Sequence, residues 1–376
     1  NMETLESLED FRHFSEKELE IRFAQLKKQI VPADETIREQ AEKHWGRVAK
    51  PLGSLGVLEE DIVRAAAAQG GKVPDFSKRA LLIFCADNGV VEEGVSQTGQ
   101  EVTAAVVSNM TRGRSCSCLM AEKAETDVFP IDIGIACEVE HHGKLHPLTE
   151  RKIRRGTSNF TKEAAMTRQE VLTAVLTGID AVRVLKDREY RLFTVGEMGI
   201  GNTTTSSAVA SVLLRKEPEL VTGCGAGLDL AGLKRKTKAI RRGIDLHQPD
   251  PMDGMDVLQK VGGFDLAAMA GAFLGGAIYH VPVVIDGVIA AAAAAAAGRI
   301  APAATDYMLA AHVSAEPASI WLLDLIGVTP AIRAGLRLGE GTGALALFPL
   351  LDMALSIYRD MDTFAEMEIE EYKPLV

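Results

Sequence analysis

The stretch Arg79-Ala-Leu-Leu-Ile-Phe-Cys85-Ala-Asp-Asn-Gly89 runs from an apolar segment into a carboxylate beside a glycine. Three further apolar runs lead into carboxylates in a similar way, at Asp132, Glu197 and Asp286. Short runs of Leu, Ile, Val and Phe bounded by polar residues and glycine are typical of buried strands. We therefore predict four strands, each followed by an acidic residue, over 79–85, 127–131, 191–195 and 281–285.

Long segments rich in alanine and glycine separate these runs, and the run Ala290–Ala297 is typical of a tightly packed helix. Short strands that alternate with long helices are typical of a parallel sheet. The sequence therefore predicts an α/β fold with a mostly parallel sheet. Two helical patterns, over 18–30 and 33–48, predict a helical arm outside that sheet.

The acidic residues at the strand ends matter because ligands of a doubly wound sheet bind outside the carboxyl ends of its strands. Glycine there lets the backbone approach a ligand, and a following helix N-terminus offers N–H donors to an anion. One acidic residue in such a place could equally be a helix N-cap. Four that converge on one edge of a sheet favour a ligand site.

Composition argues against several classes of protein. The chain has 376 residues and a net charge of −11, so no general binding to a nucleic-acid backbone is expected. Asp286 interrupts the apolar run Val281–Gly298, and a buried strand followed by a buried helix explains that run better than a membrane span. Five cysteines without a CxxC pair, and charges throughout 2–30, predict a cytoplasmic protein with reduced thiols and no structural zinc.

Two glycine-rich loops could bind an anion. Gly196–Ser207 reads Gly-Glu-Met-Gly-Ile-Gly-Asn-Thr-Thr-Thr-Ser-Ser, and its N–H and hydroxyl groups suit a phosphate or carboxylate, although a plain turn with Ser/Thr caps remains the alternative. Val221–Leu228 is followed by a basic cluster, in which we take Lys236 as a phosphate contact and a solvated face as the alternative. Neither GxGxxG nor a P-loop motif occurs, which argues against a dinucleotide or P-loop site.

Glu340 lies between Gly339 and Gly341, directly before the apolar helical pattern Ala344–Tyr358. A partly desolvated carboxylate has a raised pKa and suits a general base. The alternative is a helix N-terminal acid whose pKa the helix dipole lowers, and the flanking glycines favour the first interpretation. His312 lies in an apolar stretch and is interpreted as a structural histidine.

Together these motifs resemble the nicotinate-nucleotide:dimethylbenzimidazole phosphoribosyltransferases of cobamide assembly. The resemblance extends from about Lys50 to Tyr358. The blocks that carry it occur in this order: Cys85–Ser96, Gln100–Thr103, the Glu197 loop, Gly223–Gly227, Gly262–Leu266, Val284–Gly287, His312–Pro317 and Leu338–Gly343.

The resemblance implies a Rossmann-like, mostly parallel sheet with helices on both faces, and a small helical domain built from the chain ends. It divides the chain into an N-terminal helical arm (1–50), a catalytic domain (51–343) and a C-terminal helical segment (344–376). It further implies a cytoplasmic enzyme that needs no metal or cofactor. The enzyme would form a homodimer, or a heterodimer with a similar subunit.

The implied activity transfers the 5-phosphoribosyl group of nicotinate mononucleotide to a cobamide lower-ligand base, giving an α-riboside 5′-phosphate and nicotinate. The catalytic residues of the family fall on Glu340, the general base, and Glu197, a second carboxylate. The contacts to the nucleotide fall on Gly199, Gly201, Asn202, Thr203, Thr204, Gly225, Lys236, Asp286 and Ser314. The pocket for the base falls near Asp87, Ser96, Gln100 and Leu338.

The sequence departs from the family beside the base pocket. Gln97-Thr-Gly-Gln100 replaces an Ala-Tyr-Pro-Gln stretch, and Asn88 stands where a histidine is frequent. The identity of the base therefore stays open between dimethylbenzimidazole or a relative and the phenol or p-cresol used by a heterodimeric branch. A non-catalytic partner subunit is a further alternative, which Glu340 argues against. An NAD-type oxidoreductase is disfavoured because its glycine fingerprint is missing.

Overall fold

A computed structural model describes residues 4–140, 142–225 and 227–372. The outer ends of the predicted segments 1–50 and 344–376 therefore lie in part outside the described residues. Within the described ranges the chain forms one six-stranded sheet. Its strands are β1 (Arg79–Ala86), β2 (Thr126–Gly134), β3 (Thr149–Glu150), β4 (Leu192–Met198), β5 (Val283–Ile285) and β6 (Met308–Ala310).

Helices make up most of the remaining described chain, with three 3-10 helices at Phe11–His13, Gly89–Glu93 and Pro302–Tyr307. The α-helices are α1 (Glu16–Lys27), α2 (Glu35–Arg47), α3 (Val57–Gln69), α4 (Glu101–Thr111), α5 (Cys116–Lys123), α6 (Arg168–Asp187), α7 (Asn202–Leu214), α8 (Pro218–Val221), α9 (Leu230–His247), α10 (Gly254–Val261), α11 (Phe264–Tyr279), α12 (Val288–Ile300), α13 (Ser319–Ile326) and α14 (Thr342–Asp360). None of the described helices combines the length and the apolar character that crossing a bilayer requires.

The strands lie in the order β3-β2-β1-β4-β5-β6, and every neighbouring pair is parallel. From the central strand β1 the chain moves outward through β2 and β3, and then returns to add β4, β5 and β6 on the other side. The order thus reverses between β1 and β4, where a doubly wound sheet opens a crevice at its carboxyl edge. The predicted parallel α/β fold is confirmed, and the four predicted strands appear as β1, β2, β4 and β5.

Strand β1 shows why both faces of the sheet are covered. All eight of its residues are buried, and successive side chains point to opposite faces. Leu82 and Phe84 join the core formed with α6, α11 and α12, whereas Leu81 and Ile83 join the core formed with α3 and α14. The continuous apolar run that predicted this strand is therefore the signature of a strand with helices on both sides.

The helices α6 and α11 pack unusually closely on one face. A Cβ atom added at Gly178 would collide with the carbonyl oxygen of Ala268, and one added at Gly271 would collide with that of Val175. Glycine at these two positions lets the two backbones approach, so α11 can be buried between α6 and the sheet. Its N-terminus is thereby fixed at the carboxyl edge of β4.

The two ends of the chain meet on the other face. Val48 and Thr363 form an antiparallel bridge, and the Tyr358 ring of α14 contacts the rings of His44 and Trp45 at the end of α2. In contrast, α1 packs against α6 on the opposite face. The domain boundaries at residues 50 and 343 stay a prediction.

Candidate active site

A cavity of about 260 Å³ opens at the carboxyl edge of the sheet, where β4 and β5 end. The loop after β4, the start of α12, the turn after β6 and the loop before α14 form its walls. Its lining residues are Glu197, Met198, Gly199, Ile200, Asn202, Thr203, Gly225, Asp286, Gly287, Val288, Ile289, Ala290, His312, Ser314, Glu316, Arg337, Leu338, Gly339 and Glu340.

Glu340 enters this cavity from a strained loop. Gly339, Glu340 and Gly341 all have left-handed backbones, with φ values of 86°, 59° and 79°. Glycine adopts this conformation freely, whereas a residue with a Cβ atom does not. The two glycines that flank Glu340 therefore allow a tight turn, and this turn directs the Glu340 carboxylate into the cavity.

The Glu340 carboxylate lies against the start of α5. The hydroxyl of Ser117 donates to its Oε2 atom at 3.3 Å. Burial raises the pKa of Glu340, and the hydrogen bond from Ser117 opposes that rise. Burial has the larger effect, so the raised pKa favours the general-base interpretation over a helix-terminal acid with a lowered pKa.

Asp286 fixes the same loop from below. Its Oδ2 accepts the backbone N–H of Gly341 at 3.0 Å, and its Oδ1 accepts those of Gly343 at 2.8 Å and Ala344 at 3.1 Å. The first N–H groups of α14 have no partner inside the helix and need such an acceptor. Asp286 lines the cavity as the nucleotide-binding prediction requires, but its oxygens hold α14 in place.

Glu197 forms the floor beneath Glu340. The backbone N–H of Glu340 donates to its Oε1 at 3.3 Å, and the amide of Asn202 donates to its Oε2. Burial raises the pKa of Glu197 well above its usual value, and the neighbouring carboxyl of Asp265 raises it further. The two carboxyls predicted to be catalytic are thus brought together, and Asp265, which was not among the predicted site residues, is a third.

The loop from Gly199 to Thr204 is only partly in the cavity. A Cβ atom at Gly199 would collide with the carbonyl oxygen of Ala86, so glycine is needed for β4 to end so close to β1. Asn202 and Thr203 line the cavity beside it. Gly201 and Thr204 do not, because Gly201 packs against Val91 and Thr204 is fully buried in α7.

Lys236 lies behind the cavity wall. Its Nζ donates to the hydroxyl of Thr203 at 3.0 Å and to the carbonyl of Gly223 at 3.1 Å. Complete burial lowers its pKa to about 8, and the nearby carboxylate of Glu316 opposes that change. The solvated-face alternative is wrong for this lysine, since the side chain is 0% exposed and reaches the glycine-rich loop that includes Gly225.

Only Leu338 of the predicted base pocket lines the cavity, and its side chain is 53% exposed. Asp87 is fully buried, with one oxygen accepting from the Thr103 hydroxyl at 2.6 Å and the other from the Ala136 N–H at 2.8 Å. Ser96 and Gln100 lie on the loop after β1, outside the cavity lining. Their contact with a base stays a prediction.

Sequence reasoning missed several contributors. His312 lines the cavity, with its Nε2 3.8 Å from Asp286 Oδ1, and Arg337 lines it beside Leu338. Ser117 lies 223 residues from Glu340 in the chain, so no local pattern could have paired them. Asp265 carried a usable signal, because it is an acidic residue close to two glycines, Gly262-Gly263, at the start of a helix.

The arrangement suits proton abstraction next to an anion. It combines a carboxylate of raised pKa, a second carboxyl beneath it, and a glycine-rich wall backed by one buried lysine. Ser314 is buried, lines the same wall and accepts the N–H of Glu316. In the described ranges, no three His, Cys, Asp or Glu side chains converge so that they could hold a metal ion.

Comparison with known proteins gives consistent relatives. The family model described as Phosphoribosyltransferase matches residues 30–369. The nicotinate-nucleotide–dimethylbenzimidazole phosphoribosyltransferase of Clostridium acetobutylicum is 43% identical over 350 residues, covering 93% of this chain and 98% of that protein. The protein of the same name from Ruminiclostridium cellulolyticum is 44% identical over 337 residues, covering 90% and 95%. The crystal structure of CobT from Thermus thermophilus matches with a TM-score of 0.84 at 38% identity, covering 90% of this chain and all of that one (100%).

Proposed function

Because this chain belongs to the phosphoribosyltransferase family represented by these relatives, we propose that it transfers the 5-phosphoribosyl group of nicotinate mononucleotide to a cobamide lower-ligand base. The products are the α-riboside 5′-phosphate and nicotinate. The observation that carries this proposal is the placement of Glu340, a carboxylate of raised pKa held at the cavity between two left-handed glycines. The same residue argues against a non-catalytic partner subunit.

The chemistry assigns a clear task to Glu340. Nicotinate leaves through its ring nitrogen, whose positive charge is neutralised as the bond to the ribose breaks, so its departure demands no acid. The incoming benzimidazole nitrogen attacks the anomeric carbon from the opposite face, and the ring must lose its N–H proton. Glu340 takes that proton, and such general-base help contributes about 10²–10⁴ in rate. Attack opposite to a β-linked leaving group gives the α product.

Donor binding is assigned to the glycine-rich wall. The backbone around Gly199 and Gly225, the hydroxyls of Thr203 and Ser314, and Lys236 behind them would hold the anionic donor. A phosphate near Lys236 favours the protonated amine, which offsets the lowering of its pKa by burial. Orientation of the ribose relative to Glu340 follows from fixing the phosphate.

The base is proposed to be dimethylbenzimidazole or a related ring, with phenol or p-cresol as a second candidate. Phenol or p-cresol is considered because the cavity lining, among the described residues, includes no Phe, Tyr or Trp on which a benzimidazole ring could stack. A stacked ring pair contributes about 0.5–1.5 kcal/mol beyond simple burial. The Gln97 amide, which donates to the carbonyl of Gly227, stands on the loop where family members carry an aromatic residue.

A competition assay tests both the activity and the choice of base. The purified chain is incubated with nicotinate mononucleotide, dimethylbenzimidazole and p-cresol together, and the riboside phosphates are quantified by mass spectrometry. We expect a benzimidazole riboside phosphate and a measurable p-cresol product. The absence of any riboside phosphate, with and without a co-purified similar subunit, would refute the proposed activity. An exclusive benzimidazole product would refute the relaxed choice of base.

The setting of the enzyme is also proposed. We place it in the cytoplasm, which the five cysteines support because all of them are free thiols in the structure. The assembly is proposed to be a homodimer, or a heterodimer with a similar subunit. Light scattering of the purified chain, alone and with such a subunit, distinguishes these two.

A further inference from the structure

One amide joins two buried carboxyls at the floor of the cavity. The Nδ2 atom of Asn202 donates to Glu197 Oε2 and, at 3.1 Å, to Asp265 Oδ2. Glu197 faces the cavity, whereas Asp265 lies behind it in the first turn of α11 and is fully buried. The amide therefore links a carboxyl on the cavity side to one that substrate cannot reach.

The surroundings of the pair are acidic. Glu197 is faced by Asp286 after β5 and by the loop that carries Glu340, and Asp265 is faced by Asp87 after β1. Cys85 on β1 also lies close to these carboxyls, and its thiol has a raised pKa. The basic side chains on neighbouring elements have other partners. Lys152 pairs with Asp132, Lys236 donates to Thr203 and Gly223, and the His312 ring lies beside Asp286.

Two ionised carboxylates without a cation are unfavourable in a buried place, so one of the pair keeps a proton. Burial raises the pKa of Asp265 to about 7 and that of Glu197 well above its usual value. Asp265 also accepts the N–H of Leu266 at 2.9 Å and lies at a helix N-terminus, where negative charge is favoured. Glu197 accepts one backbone N–H, that of Glu340, at the longer distance of 3.3 Å. These contacts therefore favour the charge on Asp265 and the proton on Glu197.

We propose that Asp265 is a positioning residue that, through the Asn202 amide, keeps Glu197 protonated and holds the negative charge of the pair away from Glu340. Glu197 then adds no second negative charge to that of Asp286, which already acts on the catalytic base. An ionised Glu197 would place a further negative charge in the cavity that Glu340 lines, against the Glu340 backbone N–H, and would make Glu340 harder to ionise. Asp265 would thus set the pH range in which the base works without touching substrate.

Infrared spectroscopy tests the protonation state without any assay of turnover. At neutral pH we expect a protonated carboxylic-acid band that Glu197→Gln removes and Asp265→Asn weakens. Asp61→Asn is the matched control, because Asp61 is a buried acid of raised pKa on α3, away from the cavity. The Asp61→Asn variant should lose the carboxylic-acid band of Asp61 and keep that of Glu197. If Glu197→Gln removes no such band, the proposal is wrong, whatever the enzyme proves to catalyse.

The pH dependence of kcat/KM tests the effect on the base, and it rests on the proposed function. In Asp265→Asn, Glu197 loses its negative neighbour and ionises at lower pH, which raises the pKa of Glu340. The acidic limb of the kcat/KM profile, where activity rises as Glu340 loses its proton, should then move to higher pH by about half a unit or more. The double variant Glu197→Gln, Asp265→Asn should return it to the wild-type position. A lower kcat without any shift of the limb would mean a purely structural role.

Discussion

The side chain of Glu340 is the residue on which the proposed chemistry depends most. Replacing it by Gln keeps the shape and the hydrogen bond to Ser117 but removes the base. We expect kcat to fall about 10²–10⁴-fold, while the dissociation constant of nicotinate mononucleotide stays near the wild-type value. Steady-state kinetics and calorimetry measure the two quantities. Glu101→Gln, an equal change of charge on the exposed side of α4, is the control, and near-normal turnover of Glu340→Gln would exclude the assignment.

Lys236 is the residue proposed to bind the donor, nicotinate mononucleotide, whereas Glu340 is proposed to act on the acceptor base. Lys236→Met keeps most of the buried volume and removes the charge, so the loss of a charge-assisted hydrogen bond of about 1.5–3 kcal/mol should weaken donor binding at least tenfold. Binding of the free base should change little. Calorimetry with each ligand separates these effects. Lys238→Ala, an exposed lysine one half-turn away on α9, should bind both ligands normally, and equal losses for both ligands in Lys236→Met would indicate misfolding.

At the residue scale the family resemblance placed Glu340 and Glu197 in one site, and the structure brings both to one cavity. Their catalytic roles stay a prediction. The sequence did not reveal what Asp286 contacts. That carboxylate accepts three N–H groups from residues 55 to 58 positions away, and no local pattern encodes such a distance.

The N-terminus of α14 is the element that positions the proposed base. In Asp286→Ala three N–H groups lose their acceptor, and an unsatisfied buried N–H costs about 1–3 kcal/mol. We expect the free energy of unfolding to fall by about 2 kcal/mol or more. Asp34→Ala is the matched control, since Asp34 caps α2 by accepting one N–H, that of Ile37 at 3.0 Å, and should cost about 1 kcal/mol. Urea denaturation measures both, and equal losses would show that Asp286 is an ordinary cap.

At the scale of elements, long apolar runs were predictable and short strands were not. β3 has two residues and β6 has three, and too few positions remain for any periodicity to emerge. Both become strands because a neighbour already offers a free edge, β2 to Thr149 and β5 to Met308. The helix α12 was predictable for the opposite reason, because its run of alanines has no polar face.

At the scale of the whole molecule, the order of the strands and the packing of the helices depend on contacts between segments that lie far apart in the chain. The parallel class of the sheet follows from the alternation of strands and helices, but the order β3-β2-β1-β4-β5-β6 depends on which strands meet. The two N-terminal helical patterns look alike in sequence, yet α1 packs on the α6 face and α2 on the α14 face. Leu19 of α1 joins the core that contains α6, whereas Trp45 of α2 joins the core that contains α14. These partner helices lie far away in the chain, so neither helical pattern reveals which face it will cover.

The left-handed backbone of Glu340 has a consequence for anyone who tries to make this protein more heat-resistant. A residue with a Cβ atom in that conformation costs about 1–2 kcal/mol relative to an ordinary backbone. A search for stabilising substitutions that ignores catalysis would therefore favour glycine at position 340, completing a Gly-Gly-Gly turn. The chain carries glutamate there, which is less stable than glycine in that backbone conformation. It therefore gives up some stability at a position where its proposed chemistry requires a carboxylate.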